Sequence, residues 1–204
     1  MLRTDYPRQG QEVLLLAHDA APGQVFPGGV ARTEPLTLRL VGATPPLRRG
    51  AQVSVLYRLE GMHHKLGCEV VEWVVRGDAV VCEVKVLGQE NLERRRSERL
   101  PAADTPCSLS FVAGIEGGME VGSRDARLVD LSQHGARVAA EIAPTVGCLY
   151  HLTIPAPDEP SIRALSICTR IVEEGIFALE FVDLIGDSAG TLRRFLLRLR
   201  QAAA

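Results

Sequence analysis

The sequence predicts a mainly β protein: two small antiparallel β-barrels in tandem, the second followed by a C-terminal α-helix. Three observations predict it. Short apolar or alternating runs of strand length, bounded by Gly, Pro or Asp turn signals, recur along the 204 residues. A polar, arginine-rich break near residues 88–101 divides those runs into two sets. A helical period emerges only at the end of the chain.

Residues 1–10 are a polar lead-in carrying Pro7 and Gly10. The first run, 11–17, contains Val13-Leu14-Leu15-Leu16 and stops at the Ala-Pro-Gly turn of 21–23. The second, 25–32, holds Gly28-Gly29, which weakens a straight strand and predicts a bulge or bend. Residues 36–41 alternate apolar and polar with period two, as a half-buried strand does. Pro45-Pro46 and Arg49-Gly50 mark the next turn. Runs at 53–59, 66–75 and 79–86 follow, the last two joined by the hairpin signal Arg76-Gly77-Asp78. Six such segments without helical period predict a closed or nearly closed barrel. His63-His64 read as turn residues between Gly61 and Gly67, with no third ligand at metal spacing, and Trp73 reads as core. Residues 1–88 are taken as the N-terminal domain and 89–204 as the second, with the polar connector Gly88-Gln89-Glu90-Asn91 lying across the boundary.

The second half is again β-patterned, with runs at 107–113, 126–131, 136–139, 148–154, 164–172 and 176–182. Gly114, Gly117, Gly118 and Gly122 form no phosphate loop: no Lys-Ser/Thr follows and no helix comes after them. After 182 the period changes. Asp187 or Ser188 can cap a helix on which Leu192, Phe195, Leu196 and Leu199 recur at i, i+3, i+4 and i+7. Arg193, Arg194, Arg198 and Arg200 line its other side and suit the C-terminal end of the helix dipole. The apolar stripe is expected to pack on the mouth of the second barrel; a basic amphipathic helix on a membrane or nucleic acid is the alternative.

Composition narrows the function. Hydrophobic residues make up 46% and charged residues 24%, an ordinary globular balance, while net charge is −2. A general nucleic-acid binder would carry a basic excess, and a single-strand binder exposed aromatics, which here are 4% of the chain. The five cysteines, Cys68, Cys82, Cys107, Cys148 and Cys168, are odd in number, far apart and set beside apolar runs. They read as reduced buried thiols in a cytoplasmic protein, rather than disulfides or a metal site. The N-terminus lacks the apolar core of a signal peptide, and no apolar run approaches a membrane span.

Two local signals carry chemistry. Glu93-Arg94-Arg95-Arg96-Ser97-Glu98-Arg99 places four arginines in seven residues. Read as a helix it stacks Arg95 on Arg99; read as a loop it can wrap a ligand; read alone it is equally a solvated charge run. About thirty residues on, Asp130-Leu131-Ser132-Gln133-His134-Gly135 offers a carboxylate, a hydroxyl and a glycine between two apolar runs, which by itself is also an ordinary turn. Guanidinium forks bind phosphate and the O6/N7 edge of guanine bidentately.

In order and spacing the two signals resemble the PilZ family of bacterial cyclic di-GMP receptors, whose motifs are RxxxR and [D/N]xSxxG. RxxxR is Arg95-Arg96-Ser97-Glu98-Arg99, and the second motif has all three fixed positions, Asp130, Ser132 and Gly135. The first half is similar, in pattern and position only, to the N-terminal barrel of flagellar-brake-type members. The resemblance implies a cyclic di-GMP receptor with Arg95 and Arg99 as principal ligands. It implies that Asp130 accepts from guanine N1–H and N2–H, that Ser132 donates to phosphate or fixes the turn, and that Gly135 admits close approach or a positive φ. In the family an arginine directly before RxxxR, here Arg94, accompanies a stacked, intercalated pair of cyclic di-GMP molecules; Arg96 adds a further cation.

The reading is therefore a non-enzymatic second-messenger receptor that binds cyclic di-GMP and no other cofactor. Ligand capture changes the interdomain arrangement and so regulates a partner protein in motility, exopolysaccharide or biofilm output. A homodimer stays open. The alternative is a PilZ-fold adaptor that binds a protein and no nucleotide. No nucleophile elbow, HExxH, phosphate loop or carboxylate pair points to an enzyme.

Overall fold

The computed structural model describes residues 6–42, 44–92, 98–114, 123–141 and 144–202. It divides into two compact units, 1–92 and 93–204. The first is a closed six-stranded antiparallel barrel of β1 (Glu12–Ala17), β2 (Val25–Thr33), β3 (Leu36–Val41), β4 (Gln52–Leu59), β5 (Met62–Arg76) and β6 (Ala79–Asn91). The ring order is β1-β2-β3-β6-β5-β4. Its interior is mostly aliphatic, with Leu15, Leu38, Val55, Leu66 and Val70 among the fully buried side chains beside Tyr57 and Phe26, as a chain poor in aromatics requires.

The second unit holds β7 (Leu100–Gly114), β8 (Ser123–Leu131), β9 (Gly135–Ala139), β10 (Cys148–Ala156), β11 (Glu159–Glu173) and β12 (Ile176–Leu184), then α1 (Ser188–Ala202). Its strands close in the order β7-β8-β9-β12-β11-β10, the same path as the first barrel. The repetition extends to detail. Gly50 and Gly147, at φ 80° and 89°, end the turns into β4 and β10, and each donates its N–H to the fifth strand of its barrel, at Val70 O and Cys168 O. The predicted fold class is the observed one.

Four local readings are corrected. His63 and His64 lie on β5, buried, rather than in a turn. The His64 ring stacks on Tyr57 at 5.3 Å, and Gln89 bonds the Tyr57 hydroxyl (3.2 Å) and approaches His64 Nδ1 (3.4 Å). Gln89 is therefore barrel wall, and β6 runs through Asn91, past the sequence-based boundary at 88. Trp73 is not core but 40% exposed, because β4 ends opposite Glu69 and leaves the end of β5 uncovered on that side. The irregularity expected at Gly28-Gly29 falls between Val30 and Arg32; Gly28 instead allows a close strand crossing, since a Cβ there would lie 2.5 Å from Arg39 O. Of the second half's glycine cluster, Gly117, Gly118 and Gly122 lie outside the described residues.

Helix α1 starts at Ser188, whose hydroxyl donates to Ile185 O and accepts from Arg163 N. Leu192, Phe195 and Leu196 join the core of the second barrel and Leu199 packs against it. The opposite face is tied to the β10–β11 turn: Glu159 receives Arg194 Nε at 2.7 Å and Arg198 Nη1 at 2.6 Å. The Arg194 hydrogen bond foremost, with help from Arg198, holds the Glu159 carboxyl below its ordinary pKa. A carboxylate whose folded pKa is depressed contributes stability above its unfolded value and loses it as pH falls through the folded one. Glu159→Gln is accordingly expected to lower the melting temperature slightly at neutral pH. The gap from wild type should close below about pH 4, measured by circular dichroism against pH.

All five cysteines are buried thiols. Burial foremost pushes the thiols of Cys68, Cys82 and Cys107 up to about 12, so they stay protonated at neutral pH. No group of His, Cys, Asp and Glu among the described residues could hold a metal ion, and no described helix is long and apolar enough to cross a membrane.

Candidate functional site

The second motif lies at one end of the second barrel, where β7, β8 and β9 run side by side. Residue 130 pairs with Pro101 on β7 and with Arg137 on β9. The Asp130 side chain, 5% exposed, sits between two guanidiniums. Its Oδ1 accepts from Arg99 Nη1 at 2.9 Å and from the Arg137 backbone N–H at 3.1 Å, and its Oδ2 accepts from Arg137 Nε. A carboxylate offers about four lone-pair sites, so three are already filled.

Arg99 and Arg137 are 20% and 38% exposed, and each keeps guanidinium donors that no described residue takes. Two cations anchored on one buried carboxylate form a rigid positive rim, with the entropic cost of ordering long side chains already met in the free protein. Arg137 is the functional candidate that sequence reasoning missed. The signal was countable: with a short turn between β8 and β9, the residue two past Gly135 comes opposite Asp130.

Ser132 and Gly135 build the turn itself. The Ser132 N–H donates to Gly135 O at 2.8 Å, its hydroxyl donates to the same carbonyl at 3.1 Å, and it accepts from His134 N at 3.3 Å. Ser132 is buried, so of its two expected roles the structure displays the fixing of the turn. Gly135 needs no positive φ; it is glycine because a Cβ would lie 2.3 Å from Leu179 O on β12 and 3.1 Å from Glu180 Oε2. His134 contributes its carbonyl to Phe181 N at 2.7 Å.

Of the first motif, Arg99 is placed at the entry to β7; Arg94, Arg95 and Arg96 lie outside the described residues. Beside the rim a groove is lined by Glu98, Leu100, Gln133, Arg193, Leu196 and Arg200, the last bonded to Glu98 at 3.0 Å.

The fold and the site together define a double-barrel protein whose second barrel carries an arginine rim on one buried carboxylate. A family model described as PilZ domain matches residues 93–198, more than half of the chain. The chain belongs to the PilZ domain family. Among solved structures it is similar to the inhibitor of motility (MotI/DgrA) of Bacillus subtilis, at 16% identity and TM-score 0.42, covering 96% of this chain and 98% of that one. It is also similar to YcgR from Escherichia coli in complex with c-di-GMP, at 12% identity, 94% and 84% coverage and TM-score 0.41. The Borreliella burgdorferi PlzA protein in complex with c-di-GMP gives 8% identity, 91% and 86% coverage and TM-score 0.38. A search of the curated proteins finds no match.

Proposed function

We propose that this chain is a non-enzymatic receptor for cyclic di-GMP, held by Arg94, Arg95, Arg96 and Arg99 of the first motif and by the turn at Asp130, Ser132 and Gly135, with Arg137 beside it. The observation that carries the reading is the pairing of Arg99 and Arg137 on Asp130, within a chain of the PilZ family. Guanidiniums fixed in this way present planar donors to the O6/N7 edge of guanine and to phosphodiester oxygens. With three of its lone-pair sites occupied, Asp130 serves chiefly to position the two arginines rather than to read guanine N1–H and N2–H at once. Ser132 and Gly135 act through the shape of the turn. Arg94 favours the intercalated pair of ligands.

Residues 93–99 are also part of the covalent link between the two barrels, so capturing them on a nucleotide alters the interdomain arrangement. A partner protein in motility, exopolysaccharide or biofilm control reads that change, which requires the ligand to bind the two arrangements with different affinity.

Calorimetric titration of cyclic di-GMP into the wild type and an Arg95→Ala, Arg99→Ala variant tests the reading. Loss of two charge-assisted contacts is expected to cost about 3–6 kcal/mol, enough to abolish measurable heat. A ligand ratio near two is expected in the wild type. A folded, nucleotide-free wild type that gives no heat would sink the proposal.

A further inference from the structure

Beyond Val70, which β4's leading turn holds through Gly50 N and Ala51 O, β5 runs on through residues 71–76. It has β6 on one side and, among the described residues, no strand on the other. Pairing with β6 is regular from Glu72↔Glu83 to Arg76↔Ala79. In a hairpin closed by that last pair across two turn residues, the backbone groups of 72, 74 and 76 turn towards β6. Those of 73 and 75 therefore point outwards. Trp73, Val74 and Val75 are 40%, 45% and 52% exposed. A straight apolar edge with unpaired N–H and C=O groups is a template for another strand.

The second barrel shows that this edge is not simply an inevitable result of the fold. Its equivalent overhang, residues 169–173 of β11, is broken by register shifts at Cys168/Arg170 and Ile171/Glu173, the kind of irregularity that blunts an edge. The stretch from Glu72 to Arg76 has none.

We propose that this edge pairs antiparallel with the same edge of a second copy, giving a two-fold dimer through the first barrel. The charges select the partner and the register. Pairing centred on Val74 sets Glu72 of each copy against Arg76 of the other, Val74 against Val74 at the axis, and Trp73 against Val75 twice. In that register the outward-pointing groups of 73 and 75 meet as hydrogen-bonded pairs. Shifting the register by two residues in either direction separates Glu72 from Arg76. A self-complementary segment of this kind is what an isologous interface requires.

Sedimentation velocity of the full chain without nucleotide, from about 1 to 200 μM, tests this alongside the emission of Trp73, the only tryptophan. The expected result is a monomer–dimer equilibrium with emission shifting to the blue as dimer forms. Glu72→Arg, which faces Glu83 within its own barrel and so leaves the fold secure, should raise the dimer dissociation constant about tenfold. Adding Arg76→Glu should restore it to within about threefold, since the pairs re-form with signs exchanged. Val74→Lys, which puts two ammonium groups on the axis, should give monomer. A wild type that stays monomeric with constant emission would overturn the proposal, as would a dimer indifferent to the single reversals. Capture of the edge by a different protein falls under the first of those results.

Discussion

Replacing Gly135 with alanine is expected to destabilise the second barrel by about 3 kcal/mol and lower its melting temperature by about 10 °C. The reason is geometric. The added methyl would meet the Leu179 carbonyl at 2.3 Å, a main-chain atom in the neighbouring strand that has no rotamer to change. Relief requires β9 and β12 to part at the Gly135↔Glu180 pair, next to the Phe181–His134 bond that fastens the turn. The same movement would shift Asp130, so nucleotide affinity should fall with stability. Gly88→Ala is the control: nothing lies within 4 Å of a Cβ there, so thermal melts of that variant should match the wild type. If Gly135→Ala also melts like the wild type, then backbone crowding is not what makes this position glycine.

Much of this fold could be read from period alone. The alternation in residues 36–41 is β3 residue for residue, and the helical spacing of Leu192, Phe195 and Leu196 gives the buried stripe of α1. What escaped shares a physical cause: position relative to a neighbouring strand, which composition does not encode. The polar Gln89-Glu90-Asn91 resembles a linker, yet it is strand, because Gln89 satisfies Tyr57 and His64 across the barrel. Pro101 looks like a boundary, yet it lies inside β7. The first part of that strand has β8 as a neighbour but not β10, whose pairing reaches only Ser108, and a proline without an N–H is tolerated on such a one-sided stretch. Trp73 looks like core and stands on an overhang. At the candidate site, the motif singled out Asp130, Ser132 and Gly135, but their contacts could not be read from it. Glycine and serine prove to hold up the turn, and the aspartate's contacts go to Arg99 and to Arg137.

That last arrangement leads to the second large effect. Asp130→Ala is expected to weaken cyclic di-GMP binding about 10- to 100-fold while leaving the barrel folded, because the two freed guanidiniums can turn towards water. A reader and a positioner predict different selectivity. If Asp130 accepted directly from guanine N2–H, the wild type would prefer cyclic di-GMP to its inosine analogue, which lacks that amino group, and Asp130→Ala would erase the preference. If Asp130 acts by holding Arg99 and Arg137, the substitution weakens both ligands by the same factor. Arg137→Ala would then reproduce much of the loss, and combining it with Asp130→Ala would add little, since the two residues form one unit. The occupied lone pairs of Asp130 favour the second pattern. Equal losses for the two nucleotides, together with a non-additive double variant, would establish the carboxylate as the anchor of the rim. A selective loss confined to the guanine ligand would return it to the role of base reader.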